Sequence, residues 1–164
     1  MKLNIPFYKQ TTNLNCGPTA LKMIFSFFKK GYSIEKIEEA VGIKDGKAVS
    51  TIRLAIATQK LGFNVNFLST HLQFNKENLK EEFYQNLGDL NLEESKKLVQ
   101  EARSLGVKLE ETSIELEELL SRINENNIPI VLLDWSKILK KEGYSGHFVP
   151  IVGYDEENVY IHNQ

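Results

Sequence analysis

One cysteine, one tryptophan, two methionines and four prolines are all this 164-residue chain holds of those types, and the scarcity excludes several classes of protein. A lone thiol, Cys16, cannot close an intramolecular disulfide, and zinc sites built on two or more cysteines are excluded with it. Long apolar runs are also missing. The longest, such as "IPIVLLDW" from Ile128, fall far below the roughly 20 residues that span a bilayer. Neither sign of charge dominates: 20 Lys and Arg face 22 Asp and Glu, a formal net charge of -2. No basic patch or basic amphipathic helix is therefore expected, and neither nucleic acid nor a membrane is an expected partner. The N-terminal "MKLNIPFYKQ" has no apolar run of about seven residues to form a signal-peptide core, which predicts a cytoplasmic protein. With no internal repeat, low-complexity tract or linker, the length predicts a single domain over 1-164 with a substantial core.

What is present reads as helices first and strands last. Gly17-Pro18 opens a helix from Cys16 to about Lys30, because a proline in the first turn lacks only an N–H that has no helical partner there. Its residues Ala20, Leu21, Met23, Ile24, Phe25, Phe27 and Phe28 are apolar nearly all round, which predicts burial, and Gly31 is the expected stop. A second helix starts at Ser33, with Ile34, Ile37 and Val41 on one face and Gly42 as its terminator. A third runs from about Ser50 to Leu61 and closes at Gly62. "FNVNF" then alternates apolar and polar as a half-buried strand does. From Asn75 to Leu105 the chain is charged and helical: Leu79, Phe83 and Leu87 share one face, Leu98, Val99, Ala102 and Leu105 another, with Gly106 as terminator. Thr112 and Glu115 fit a capping box ahead of Leu116, Leu119, Leu120 and Ile123. "IPIVLLDW", "HFVPIVGYD" and "NVYIHN" read as strands, the last two joined by a "DEEN" turn. The predicted class is α+β, N-terminal helices packed on a C-terminal antiparallel sheet.

The placement of the one thiol is informative. A free cysteine usually serves as a small buried hydrophobe, yet Cys16 opens a helix, where the macrodipole and unpaired N–H groups lower a thiol pKa and favour a nucleophile. The same N–H groups can hold an oxyanion. A nucleophile needs a base, and the histidines are His71, His147 and His162. His147 follows Gly146 at the start of a predicted strand and is the preferred candidate; His71 and His162 read as surface or satisfied histidines. In a hairpin through "DEEN", Asn163 returns past His147 and can orient its ring. Asp134, Trp135 and Tyr144 lie near the His147 motif in sequence; the favoured reading makes Asp134 a turn cap and the two aromatics core or rim residues.

Gln10, five residues, then Cys16-Gly17-Pro18-Thr19-Ala20, followed much later by Gly146-His147-Phe148-Val149 and Gly153-Tyr154-Asp155, resembles the bacteriocin-processing (double-glycine) peptidases and their stand-alone relatives. These are papain-like cysteine peptidases. The resemblance covers about 40 residues at the start and 25 at the end. It implies Cys16 as nucleophile, Gln10 as part of an oxyanion hole, His147 as base and Asn163 in the place of the orienting residue, where that family usually has Asp-Pro. The helical segment 75-105 makes the interval between Cys16 and His147 longer than in transporter-linked peptidases, and reads as a helical insertion. The expectation is a papain-like peptidase fold that hydrolyses a peptide or amide bond through a thioester, with a peptide or protein substrate and no metal or organic cofactor. Two alternatives stand beside it: amide transfer by the same Cys-His pair, and an inactive peptidase fold that binds a peptide or protein.

Overall fold

The computed structural model describes residues 1-43, 49-85 and 91-164, with every side chain among them except that of Phe83. The class is α+β. Helix α1 (Cys16–Phe27) is followed by α2 (Ile34–Val41), α3 (Thr51–Lys60) and strand β1 (Asn66–Ser69). A 3-10 turn (Lys76–Lys80), α4 (Glu82–Gln85) and α5 (Leu92–Ser104) lead to β2 (Lys108–Glu111) and α6 (Leu116–Ser121). Then come β3 (Ile130–Asp134), α7 (Trp135–Ile138), β4 (Gly146–Tyr154) and β5 (Val159–Ile161). Among the described residues, no helix is long and apolar enough to cross a membrane.

The helix boundaries follow local chemistry closely. Ser33 caps α2 by accepting a hydrogen bond from the Lys36 N–H at 3.2 Å, and Gly42 closes it in the left-handed region at φ 76°, a conformation that costs glycine little. Gly106, at φ 85°, ends α5 as expected. Helix α1 stops earlier than Gly31, because Lys29 takes a left-handed conformation at φ 59° and the Lys30 N–H bonds back to Phe25 O at 2.8 Å.

The C-terminal strands form an antiparallel sheet in the order β3-β4-β5. Ile130 pairs with Pro150 and Leu133 with His147. The "DEEN" turn forms: Asp155 N–H donates to Asn158 O at 2.9 Å. Strand β4 is buried from Phe148 to Gly153 because α1 covers one face and the N-terminal segment joins its edge, where Leu3 N–H donates to Val152 O at 2.7 Å. That N-terminal bridge carries no periodicity of its own in the sequence.

The middle of the chain departs from expectation in three ways. Strand β1 is shifted to Asn66–Ser69 and pairs in parallel with β2, Asn66 opposite Lys108. The helical segment 75-105 is therefore the crossover that two parallel strands require. Its first part is a 3-10 turn and a short helix; Leu79 is 42% exposed and does not join the core, and Leu87 lies outside the described residues. Helix α5 packs as read, with Leu98, Val99 and Ala102 buried against Ile52 and Ile56 of α3. The capping box at Thr112 does not form: Glu115 is the N-cap of α6 without a side-chain bond. Thr112 N–H instead donates to Ser69 O at 2.9 Å, so strand pairing takes the residue that local capping would have used.

Helices α1, α2 and α3 share a cluster with β4, made of Leu21, Phe25, Ile37, Val41, Leu54 and Phe148 among others. Phe25 is 1% exposed, a burial that contributes about 1.5-3 kcal/mol on transfer alone. Gly153 marks the tightest backbone contact. A Cβ there would lie 2.4 Å from Met1 O and 2.7 Å from Lys2 Cα, and backbone cannot yield as a flexible side chain would. Gly153→Ala is expected to displace the N-terminal segment and cost about 1-3 kcal/mol, read as a lowered urea midpoint with an unchanged m-value.

Candidate functional site

The site is built where the first turn of α1 meets the first residues of β4. Asn15, 2% exposed, precedes the helix but does not cap it. Its amide donates to Thr11 Oγ1 at 2.8 Å and Glu38 Oε1 at 2.9 Å, and its Oδ1 accepts from Thr12 N–H at 3.2 Å. The loop before Cys16 is thereby tied to α2. Gly17 then allows the helix to approach the sheet closely: a Cβ there would meet Leu54 Cδ1 at 2.9 Å and Phe148 Cδ2 at 3.3 Å.

That approach decides the surroundings of Cys16. Burial pushes its thiol pKa up, and the hydrogen bonds that backbone groups of Phe148, Gly17 and Cys16 itself offer the sulfur pull it down by less. The expected low-pKa thiolate is therefore corrected. Desolvation outweighs the helix N-terminus, because a charged sulfur loses more hydration here than a few N–H groups return. His147, second residue of β4, is also shifted away from its charged form: burial lowers its pKa, and the hydrogen bond to Asn163 raises it by less. Both shifts favour the uncharged form of each group.

Asn163 reaches His147 as the hairpin reading required. Ile161 pairs with Ile151, and beyond the strand the chain brings Asn163 Oδ1 to 3.0 Å from His147 Nε2. With a carboxamide oxygen as partner, Nε2 carries the proton and Nδ1 keeps its lone pair. The Trp135 ring lies 4.9 Å from the imidazole, centroid to centroid, so this aromatic borders the site. Asp134 accepts from Lys137 N–H at 3.4 Å as the cap of α7. Tyr144 stacks on Tyr84 at 5.1 Å, and burial pushes its hydroxyl pKa up.

Gln10 sits half-buried in the segment leading to the loop, its Oε1 enclosed with no hydrogen-bond partner. His71 is exposed beyond β1. His162 packs edge-on against Phe7 at 5.5 Å, its pKa lowered by burial and then by Lys2. The residue that sequence reasoning missed is Gln164. Its Nε2 donates to Cys16 O at 2.8 Å and to Phe148 O at 2.7 Å, joining helix to strand across the site. No periodicity or motif signals such a bridge, because the acceptors are main-chain carbonyls.

Two outcomes are expected. Alkylation of Cys16 by iodoacetamide, followed by intact mass, should accelerate only above the free-thiol pKa of roughly 8.5, with little reaction at pH 6. Gln164→Leu should lower stability by about 1-3 kcal/mol, since two carbonyls lose their donor, and should speed alkylation of Cys16 at any one pH.

The model of the family described as guanylylate cyclase matches residues 5–164. No curated protein and no solved structure matches the chain. The match overturns the resemblance to the bacteriocin-processing peptidases. With it fall the expected hydrolysis of a peptide or amide bond through a thioester, the amide-transfer alternative and the inactive binding module. What remains is an enzyme family, named for a reaction of guanine nucleotides: from Ile5 to Gln164, this chain belongs to the guanylylate cyclase family.

Proposed function

We propose that this protein is an enzyme that cyclises a guanine nucleoside triphosphate, with His147 as general base at the Cys16 end of α1. The family's description supplies the substrate class. The observation that carries the residue assignment is the His147 Nε2 to Asn163 Oδ1 hydrogen bond of 3.0 Å, which leaves Nδ1 to accept a proton. In this reading His147 removes the proton of the ribose 3′-hydroxyl as its oxygen attacks the α-phosphorus. The new O3′–Pα bond forms, the Pα–O bond to the β-phosphate breaks, and pyrophosphate leaves with the electron pair.

The charge state of the site supports the assignment. A thiol held neutral by burial does not repel a phosphate, as a thiolate would. Backbone hydrogen-bond donors already gathered at the sulfur lend positive potential to the same spot. Cys16 is then a wall residue and Asn163 a positioning residue.

Nucleotide cyclisation by divalent cations calls for a set of carboxylate or imidazole ligands. Among the described residues no group of three or more His, Cys, Asp or Glu side chains is placed to hold a metal ion. No step is therefore routed through a cation held by the described residues.

The test incubates the protein with GTP and magnesium and separates cyclic GMP and pyrophosphate by chromatography. His147→Gln should lose about 10²- to 10⁴-fold in kcat, while Cys16→Ser keeps most of the activity. Because the His147 pKa is lowered, the competent neutral imidazole persists through neutral pH. kcat/KM should stay level there and fall only as pH drops below the ordinary imidazole value of about 6.5. Wild-type protein that neither forms cyclic GMP nor binds GTP would overturn the reading.

A further inference from the structure

Asn163 meets His147 from an exposed position, where a lone hydrogen bond is weak. Fixing a free carboxamide there costs conformational entropy comparable to what one such bond returns. The 3.0 Å contact between Asn163 Oδ1 and His147 Nε2 therefore needs a backbone already held in place. Strand pairing supplies one side of that hold. Ile161 pairs with Ile151, and His162 N–H donates to Pro150 O at 3.2 Å. Among the described residues, no main-chain hydrogen bond to β4 follows it.

On the other side of Asn163 a side chain takes over. Gln164 Nε2 donates to Phe148 O at 2.7 Å and to Cys16 O at 2.8 Å, so both protons of its amide are committed to main-chain carbonyls. One acceptor belongs to the residue after His147, the other to the first residue of α1. The Gln164 Oε1 is enclosed without a hydrogen-bond partner, an unfavourable arrangement for stability alone. Asn163 is thus bracketed. The residue before it is bonded to Pro150 and the residue after it to Phe148, which follows His147 on the same strand.

We propose that Gln164 is a positioning residue for His147, acting through Asn163. Its two bonds fix the backbone from which the Asn163 oxygen reaches Nε2, so that this nitrogen keeps its proton and Nδ1 remains the acceptor. The consequence for catalysis rests on the reading of His147 as general base. The positioning itself does not, and is measured without nucleotide.

Proton NMR of the isotope-labelled protein tests this, the His147 Nε2–H resonance being identified by its absence in His147→Gln. In the wild type this proton should be visible and slowed in its exchange with water. Asn163→Ala and Gln164→Leu should each speed that exchange about fivefold. The double variant should be no faster than Asn163→Ala, because the two residues act in series. The His147 pKa, which the Asn163 bond raises, should fall in both single variants. Gly42→Ala, strained at the left-handed end of α2, should lower stability and leave both readouts unchanged. If Gln164→Leu does not fold, Gln164→Asn, one methylene too short to reach both carbonyls, should give the same changes. A protein that shows these changes and does not cyclise GTP loses the proposed function and keeps this role for Gln164. The proposal is overturned if either single variant leaves exchange and pKa as in the wild type, or if the two effects add in full. A wild type with no protected Nε2–H proton would overturn it too.

Discussion

The rest of the structure depends on the seam between the first turn of α1 and the start of β4. Gly17 lets the helix approach to where a single methyl would meet Leu54 and Phe148. Gln164 then ties the two elements by donating to one carbonyl on each. Close packing and a shared donor act together: packing alone holds a distance, and the two hydrogen bonds add a register. Through this seam Cys16 meets the backbone beside His147, and the cluster of α1, α2 and α3 closes over Phe148.

The same closeness determines the chemistry. A helix N-terminus by itself lowers a thiol pKa, and the effect is modest at the scale of a macrodipole interaction, about 0.3-1 kcal/mol. Burial acts the other way and wins at Cys16, just as it wins over the Asn163 hydrogen bond at His147. The electrostatic state of the site therefore follows from packing density, a property of the assembled fold.

The parallel pairing of β1 with β2 shapes the other half of the molecule. It uses the segment 75-105 as a crossover and places α5 against α3. Thr112 shows how tertiary pairing prevails over a local signal: its N–H completes the ladder with Ser69, and α6 begins without the cap that its sequence offers.

Local chemistry determined the helices and their ends, because Ser33, Gly42 and Gly106 act within a few residues of themselves and need no distant partner. The C-terminal hairpin was legible for the same reason, and with it the meeting of His147 and Asn163 across a short turn. Membership of the guanylylate cyclase family was not legible from those residues. A short Cys-helix motif and a His-strand motif are shared by more than one chemistry, and their spacing pointed to peptidases instead. The Gln164 bridge, the N-terminal segment on β4, the parallel pair and the neutral state of Cys16 were decided by tertiary structure alone. Each depends on groups brought together from far apart in the chain, and on a balance between burial and hydrogen bonding that exists only once the chain has packed.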